Sequence, residues 1–409
     1  MNETTQTLLA KARELDAQDK LAHHRDAFVD APGVKAYLDG NSLGRPLKAT
    51  AERMQSFIAH DWGTRLIRSW DEQWMELPGQ LGDRIGKLTL GAAPGQTIVA
   101  DSTSIGIYKL VDAAAGFQQP KGRTQIVIEE GNFPTDRFIV EGIASARGMD
   151  IVWLKPDPIM GVQATEVAAA VSDKTALVLL SHVDFRSGAL ADMQGITKVV
   201  KQSGALMIWD LCHSAGCVPM QLDEWGVDLA VGCTYKYLNG GPGSPAFIYV
   251  AKERIKDLTQ PIWGWWGAAN VFEMGPEYES DEGIKKFLSG TAHVTSMIGT
   301  SCMLDLIEEA GIEAMREKSR TLTELAIEAY EVLLAPLGAK LLTPQEHADR
   351  GSHISVGHEK FNTVIDDLWA DGVIPDFRNP DNIRLGLSPL STSHEEVIIG
   401  MAALAAAIS

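Results

Sequence analysis

Short apolar runs punctuated by polar tips recur along most of this chain. They fall at TIVA (Thr97–Ala100), QIVIEE (Gln125–Glu130), IVWL (Ile151–Leu154), the start of ALVLLSHVDFRSG (Ala176–Gly188), LMIWD (Leu206–Asp210), Val227–Gly232 and Ala246–Val250. Each has the length and composition of a buried strand. Helically spaced segments follow several of the tips, and the repeat of strand, polar tip and helix predicts an α/β fold around a mostly parallel sheet. Residues 1 to about 30 read as one amphipathic helix with Leu8, Leu9, Ala12, Leu15 and Leu21 on its apolar side. YLDGNSLGRP, from Tyr37 to Pro46, is a short strand breaking into a turn. Lys48 to Leu90 is helical with an interruption around WGTRLIRSWDEQW, and Phe287–Ser301 opens a long helix around Thr295. Helices continue to about Leu337; LLTP, SHISVG, a helix near Asn362–Asp371 and NIRLGLS then alternate as a small α/β domain would.

Composition narrows the partners. The formal charge is −18, from 54 acidic against 36 basic residues, which argues against nonspecific binding to nucleic acid or to an anionic membrane. Cys212, Cys217, Cys233 and Cys302 lack the CxxC spacing of a zinc site, so no metal is expected, and they read as reduced thiols of a cytoplasmic protein. The N-terminus is polar and helical, unlike a signal peptide, and no run approaches the roughly 18 apolar residues of a membrane span.

Candidate chemistry gathers at the strand tips. In VGCTYKYLNGGPGSPAFIYV, Lys236 stands between two strands beside Tyr235 and a Gly240-Gly241-Pro242-Gly243 loop, where a partly desolvated amine becomes a nucleophile. An isolated loop lysine is more often a solvated charge. Upstream, Asp210 ends a strand and His213 follows; Lys236 comes 26 residues after the aspartate. That order suits a pyridoxal phosphate site, the carboxylate pairing with a protonated ring nitrogen; a plain helix cap explains Asp210 alone. Thr103 and Ser104 open a helix, as either a phosphate cradle or a cap. Phe133 and Asp136 lie at another tip, and Ser181 at a third. Asn41 and Ser42 face a ligand or merely close their turn. Trp70, among Trp62 and Trp74, is core or an aromatic contact. Arg384, in an apolar strand, needs an anion, either a structural carboxylate or that of an amino-acid substrate.

YLDGNSLG, TRLIRSW, NFPTD, IWDLCHSAG, CTYKYLNGGPGS, GWWG, RGSHIS and NIRLGLSPL together resemble kynureninases, pyridoxal phosphate enzymes of tryptophan catabolism that feed NAD biosynthesis. The resemblance spans residue 37 to about 390 and implies a fold type I architecture. It implies a seven-stranded, mostly parallel large domain at 46–300, a small α/β domain at 301–409, and an N-terminal segment, 1–45, packed on the small domain. The implied reaction is hydrolysis of the Cβ–Cγ bond of L-kynurenine, or of 3-hydroxykynurenine, to anthranilate or 3-hydroxyanthranilate and L-alanine. The resemblance further implies that Lys236 carries the cofactor and moves the Cα proton, that Asp210 pairs with the ring nitrogen and His213 supports the ring, and that Tyr235 is the candidate proton donor. It implies phosphate contacts from Thr103, Ser104, Tyr235, Trp265 and, across a homodimer interface, Thr291. It likewise implies that Phe133 stacks on the ring near Pro134, Thr135, Asp136 and Ser181, and that Arg384 holds the substrate carboxylate. The chain departs from the family at Ala268, where His is usual, and at Ser391, where Tyr is usual. Rival readings are another pyridoxal phosphate lyase or desulfurase, or a cofactor-free scaffold of the same fold.

Overall fold

The computed structural model describes residues 3–273 and 275–409. The chain opens with a helix, Glu3–Gln18, and a separate short turn of 3-10 helix, Ala22–Ala27, in place of one continuous helix. Asp19 makes the break: its carboxylate accepts from Leu21 N at 2.8 Å and pairs with Lys318 Nζ at 2.7 Å. β1 (Ala36–Leu38) follows.

Seven strands form the large sheet: β2 (Thr97–Val99), β3 (Gln125–Glu129), β4 (Asp150–Leu154), β5 (Thr175–Ser181), β6 (Leu206–Asp210), β7 (Leu229–Gly232) and β8 (Phe247–Val250). Their order is β2-β8-β7-β6-β5-β3-β4. β8 runs antiparallel to both neighbours and every other pair is parallel, as the strand-and-helix repeat predicts. Every residue of β5, β6 and β7 is buried. Val178, Leu180, Met207 and Trp209 enter one apolar cluster, and Leu177, Leu179, Leu206 and Ile208 the other. Both faces are therefore covered, so these runs are continuously apolar. Parallel strands also end along one edge, which brings Glu129, Ser181, Asp210 and Gly232 together.

The second sheet adds β9 (Lys340–Leu341), β10 (His353–Gly357), β11 (Val373–Arg378) and β12 (Asn382–Gly386) in the order β1-β11-β12-β10-β9. Both chain ends contribute to its core: Leu8, Leu9 and Ala12 of the first helix join Val397, Met401 and Leu404 of the last, His394–Ile408. β11 is not evident in the letters, because Pro375 and Asp376 interrupt its apolar pattern.

Between Lys48 and Leu90 the structure alternates helices, Lys48–Ser56 and Leu77–Ile85, with wider π-helical turns at Phe57–Trp62, Trp70–Trp74 and Gly86–Leu90. Near Thr295 a 3-10 turn, Val294–Met297, precedes the helix Ile298–Ala310. Gly82 lets the Leu77–Ile85 helix lie directly on β2: a Cβ there would sit 2.2 Å from Thr97 O. Gly82→Ala is expected to lower stability by about 1–3 kcal/mol. The measurement is the urea midpoint at unchanged slope.

Candidate active site

β7 ends at Gly232 and the chain turns at once, because Thr234 Oγ1 donates to Pro245 O at 2.6 Å and Gly240 N to Thr234 O at 2.8 Å. The lysine loop is pinned from outside as well. Gly44 N donates to Tyr235 O at 2.8 Å, and Asn239 Nδ2 to Arg45 O at 2.9 Å. A Cβ on Gly44 would lie 2.3 Å from Lys236 O, so only glycine permits this approach. Lys236 is buried, with Nζ 3.2 Å from His213 Nε2. Burial, then the lysine charge, holds the His213 imidazole well below its usual range, so the ring is neutral and accepts from the amine.

Around this amine one cleft is lined by Thr103, Ser104, Phe133, Thr135, Asp136, Ser181, Asp210, His213 and Tyr235. Pro134 adjoins it as the first residue of the helix Pro134–Arg147. Thr103 and Ser104 are the first residues of a 16-residue helix, Thr103–Gln118, capped by Ser102, so their backbone N–H groups open it. Asp210 Oδ1 accepts from Cys212 N at 2.7 Å, while Asp136 Oδ2 is buried with no hydrogen-bond partner among the described residues. Burial, then Asp210 and Glu129, raise the Asp136 carboxyl well above the carboxylate range; Lys236 opposes this.

Asn41, Ser42 and Arg384 are not among the cleft's lining residues: Ser42 and Arg384 meet behind Phe185, which does line it, and Asn41 stands against Gly386 at the end of the Arg384 strand. Arg384 is fully buried; its Nε donates to Asp376 Oδ2 at 2.6 Å, Nη2 to Ser42 Oγ at 3.2 Å and Nη1 to Phe185 O. The structural carboxylate considered for it is thus present, as Asp376, and Phe185 itself lines the cleft. Both side-chain polar atoms of Asn41 are buried without a partner among the described residues. Trp70 stands elsewhere, edge-on to Trp74 and Trp266 at 5.2 and 5.3 Å between ring centroids. Trp265 lines a different groove with Trp263 and Tyr278, and Thr291 is exposed on a loop. Ala268 lines that same groove, and Ser391 is buried.

Several contributors escape the sequence reading. Glu129, at the tip of β3, accepts from Ser181 N at 3.2 Å; Asn132 Oδ1 accepts from Phe133 N at 2.6 Å and from Ser181 Oγ at 3.0 Å. Their position at a strand end is the available signal. Cys212 also lines the cleft, and His353 stacks obliquely behind His213 at 5.5 Å.

The aminotransferase class-V family profile matches residues 38–368. A kynureninase of Pseudomonas fluorescens is 44% identical over 387 residues, covering 94% of this chain and 91% of that protein. One of Burkholderia pseudomallei strain 1106a is 43% identical over 392 residues, covering 95% and 92%. Among solved structures, the apo cysteine desulfurase of Thermococcus onnurineus NA1 superposes with a TM-score of 0.77 at 16% identity, covering 91% of this chain and 94% of that one. A point mutant of C-DES, with glycine covalently linked to its PLP cofactor, gives 0.79 at 18% identity, covering 90% and 96%. The structural matches carry the fold alone, whereas the near full-length sequence matches carry the family: the chain belongs to the class-V aminotransferases and, within them, to the kynureninases.

Proposed function

We propose that this chain hydrolyses the Cβ–Cγ bond of L-kynurenine to anthranilate and L-alanine with pyridoxal phosphate as cofactor, 3-hydroxykynurenine being the second substrate to compare. One observation carries the reading: a buried lysine amine, an unpartnered buried carboxylate and a helix N-terminus converge on one cleft, in a chain 44% identical to a kynureninase.

The residue types suit the cofactor. Asp136 Oδ2 lacks a partner among the described residues and lies in the field of Asp210, so the pair favours a protonated ring nitrogen. The N–H groups of Thr103 and Ser104 suit a phosphate, the Lys236 amine a carbonyl carbon, and Phe133, edge-on to Phe185 at 5.3 Å, offers a ring face. When bound, the cofactor supplies an electron-withdrawing ring joined to the substrate nitrogen, which makes the substrate's α and β carbons acidic.

The rest of the chemistry falls to side chains. Lys236 moves the proton at substrate Cα, and neutral His213 accepts from its amine and keeps it aimed. Burial, then Cys233 and Cys212, push the Tyr235 hydroxyl far above its usual range, so it stays protonated and donates to Cβ. Arg384, with Ser42 and Asn41, orients the substrate carboxylate, and Asp376 holds the guanidinium in place. Trp70 is assigned a packing role rather than a substrate contact.

A second copy completes this reading. Trp265 and Thr291 lie off the cleft of their own chain, and Ile58, Trp62, Leu66 and Ile67 leave an exposed apolar stretch, Ile67 at 75%. Such exposure favours a homodimer that supplies Thr291 across its interface. Among the described residues no helix is long and apolar enough to cross a membrane, and all four cysteines are free, which supports a reducing, cytoplasmic setting.

Purified protein supplied with pyridoxal phosphate and L-kynurenine is expected to release fluorescent anthranilate. Lys236→Ala should lose both the visible imine absorbance and at least about a thousandfold in rate. A visible band without anthranilate would overturn the substrate while leaving the cofactor.

Sharing of sites has its own test. Lys236→Ala and Thr291→Asp should each be inactive, yet a re-equilibrated equal mixture should regain roughly a quarter of wild-type activity, because half the dimers are mixed and each carries one intact site. No recovery despite subunit exchange rules out a shared site.

The buried carboxylates predict a pH dependence. Burial, then the charges of Asp184 and Asp210, push Glu129 up to about 8 from 4.5. Between those values the folded chain keeps a proton that the unfolded chain has released, so this group makes stability fall as pH rises. Glu129→Gln keeps an acceptor for Ser181 N and removes the charge. In urea unfolding of the cofactor-stripped protein it is expected to flatten that fall, by on the order of a few kcal/mol at the alkaline end. An unaltered pH slope counts against the raised carboxyl.

A further inference from the structure

Away from the cleft, the turn after the first helix brings two imidazoles to one carboxylate. His23 and His24 stand in the 3-10 turn Ala22–Ala27, and Glu309 in the last turn of the helix Ile298–Ala310. One donor atom from each lies within 4.8 Å of the other two. His23 Nε2 is 3.8 Å from Glu309 Oε1, which is too long for a hydrogen bond. A tetrahedral zinc ion, with bonds of about 2.0–2.1 Å, spaces its donors about 3.3 Å apart, so a small inward movement of the exposed His23 and Glu309 side chains closes the set.

His24 is the second indication of a ligand. It is only 4% exposed and its ring makes no hydrogen bond among the described residues, yet its nitrogens are not sealed from solvent. A buried imidazole nitrogen without a partner is unfavourable, and a metal ion takes up its lone pair. Burial, then the charge of His23, lower the His24 imidazole below its usual range, which leaves that lone pair free at neutral pH. Lys318 acts in the same direction on His24, but its own charge is met by Asp19 at 2.7 Å. The negative end of the helix dipole falls at Glu309 and favours a cation. Two imidazoles and a carboxylate suit a late divalent ion such as zinc, whereas calcium and magnesium prefer oxygen donors. The cysteine spacing has no bearing on this set, since none of its donors is sulfur.

We propose that His23, His24 and Glu309 bind one divalent transition-metal ion of the zinc class, with water as the fourth ligand, and so tie the N-terminal segment to the helix Ile298–Ala310. That helix leads into another, Ile312–Ala329, whose Leu322 and Leu325 join the core of the second sheet. The Asp19–Lys318 ion pair already fastens the same segment there, and the metal adds a second fastening that stabilises the fold in step with its occupancy. None of the three ligands lines the cleft, so the inference does not rest on the function read there.

Zinc chloride is the probe, titrated calorimetrically into the tag-free, cofactor-loaded full-length protein and soaked into its crystals. One ion per chain is expected, with a dissociation constant of about 10 µM or tighter and an anomalous peak between the three side chains. His23→Gln and Glu309→Gln, both at exposed positions, should each weaken binding at least about tenfold. Saturating zinc should raise the melting temperature of the unaltered protein by about 2 °C or more, and that of either variant by less. Millimolar magnesium should not compete. Three outcomes overturn the proposal: no binding as tight as about 10 µM, an affinity unchanged in both variants, or anomalous peaks only at other sites.

Discussion

Three carboxyl groups, on Glu129, Asp136 and Asp210, are buried close enough to feel one another's charge, with Lys236 the cation that opposes them at Asp136. In a poorly solvated site such an arrangement cannot relax by adding water, so its protons and its amine are held in tension. Rigid elements maintain it. Glu129 and Asp210 close strands flanking β5, while Asp136 lies in the first turn of the helix that follows β3. The same burial keeps His213 neutral and Tyr235 protonated. Asp136, His213 and Tyr235 thereby have their proton states set before any ligand arrives, which is the preorganisation that charge-shifting chemistry needs.

Much of this is legible in the letters because it depends on local pattern. Apolar runs locate the strands, and the polar residue closing each run locates the cleft, since parallel strands deliver their ends to one edge. Thr103, Ser104, Phe133, Thr135, Asp136, Ser181, Asp210, His213, Tyr235 and Lys236 all emerge that way or from the motifs around them, and the fold places them on one cavity. Glu129 does not, because its run ends in two glutamates, Glu129 and Glu130, and only pairing shows which one turns inward.

What the letters withhold depends on distant partners. Arg384 announces a need for an anion, but β11, which supplies Asp376 opposite it, is broken by a proline and an aspartate and has no clear period. Trp70 looks available in a tryptophan-rich stretch, yet it is engaged by Trp266, nearly two hundred positions away. Trp265 and Thr291 are harder still, because neither belongs to the cleft lining of its own chain.

The turn after β1 connects these scales. Gly40 N donates to Gly386 O at 3.2 Å on one side, and Gly44 N to Tyr235 O at 2.8 Å on the other, so five residues span from the Arg384 strand to the lysine loop. Contact is tight at both ends: an added Cβ would lie 2.0 Å from Asn41 Oδ1 at Gly386, and 2.3 Å from Lys236 O at Gly44. In the proposed reaction the substrate carboxylate and the Cα proton sit on adjacent atoms. The guanidinium and the amine must then be spaced with little tolerance, since a misplacement of about 1 Å costs on the order of a hundredfold in rate. A loose loop would not hold that spacing. A turn wedged between two backbones by glycines does, which accounts for a glycine-rich, polar segment near the N-terminus being built into a site whose other residues come from the far strands.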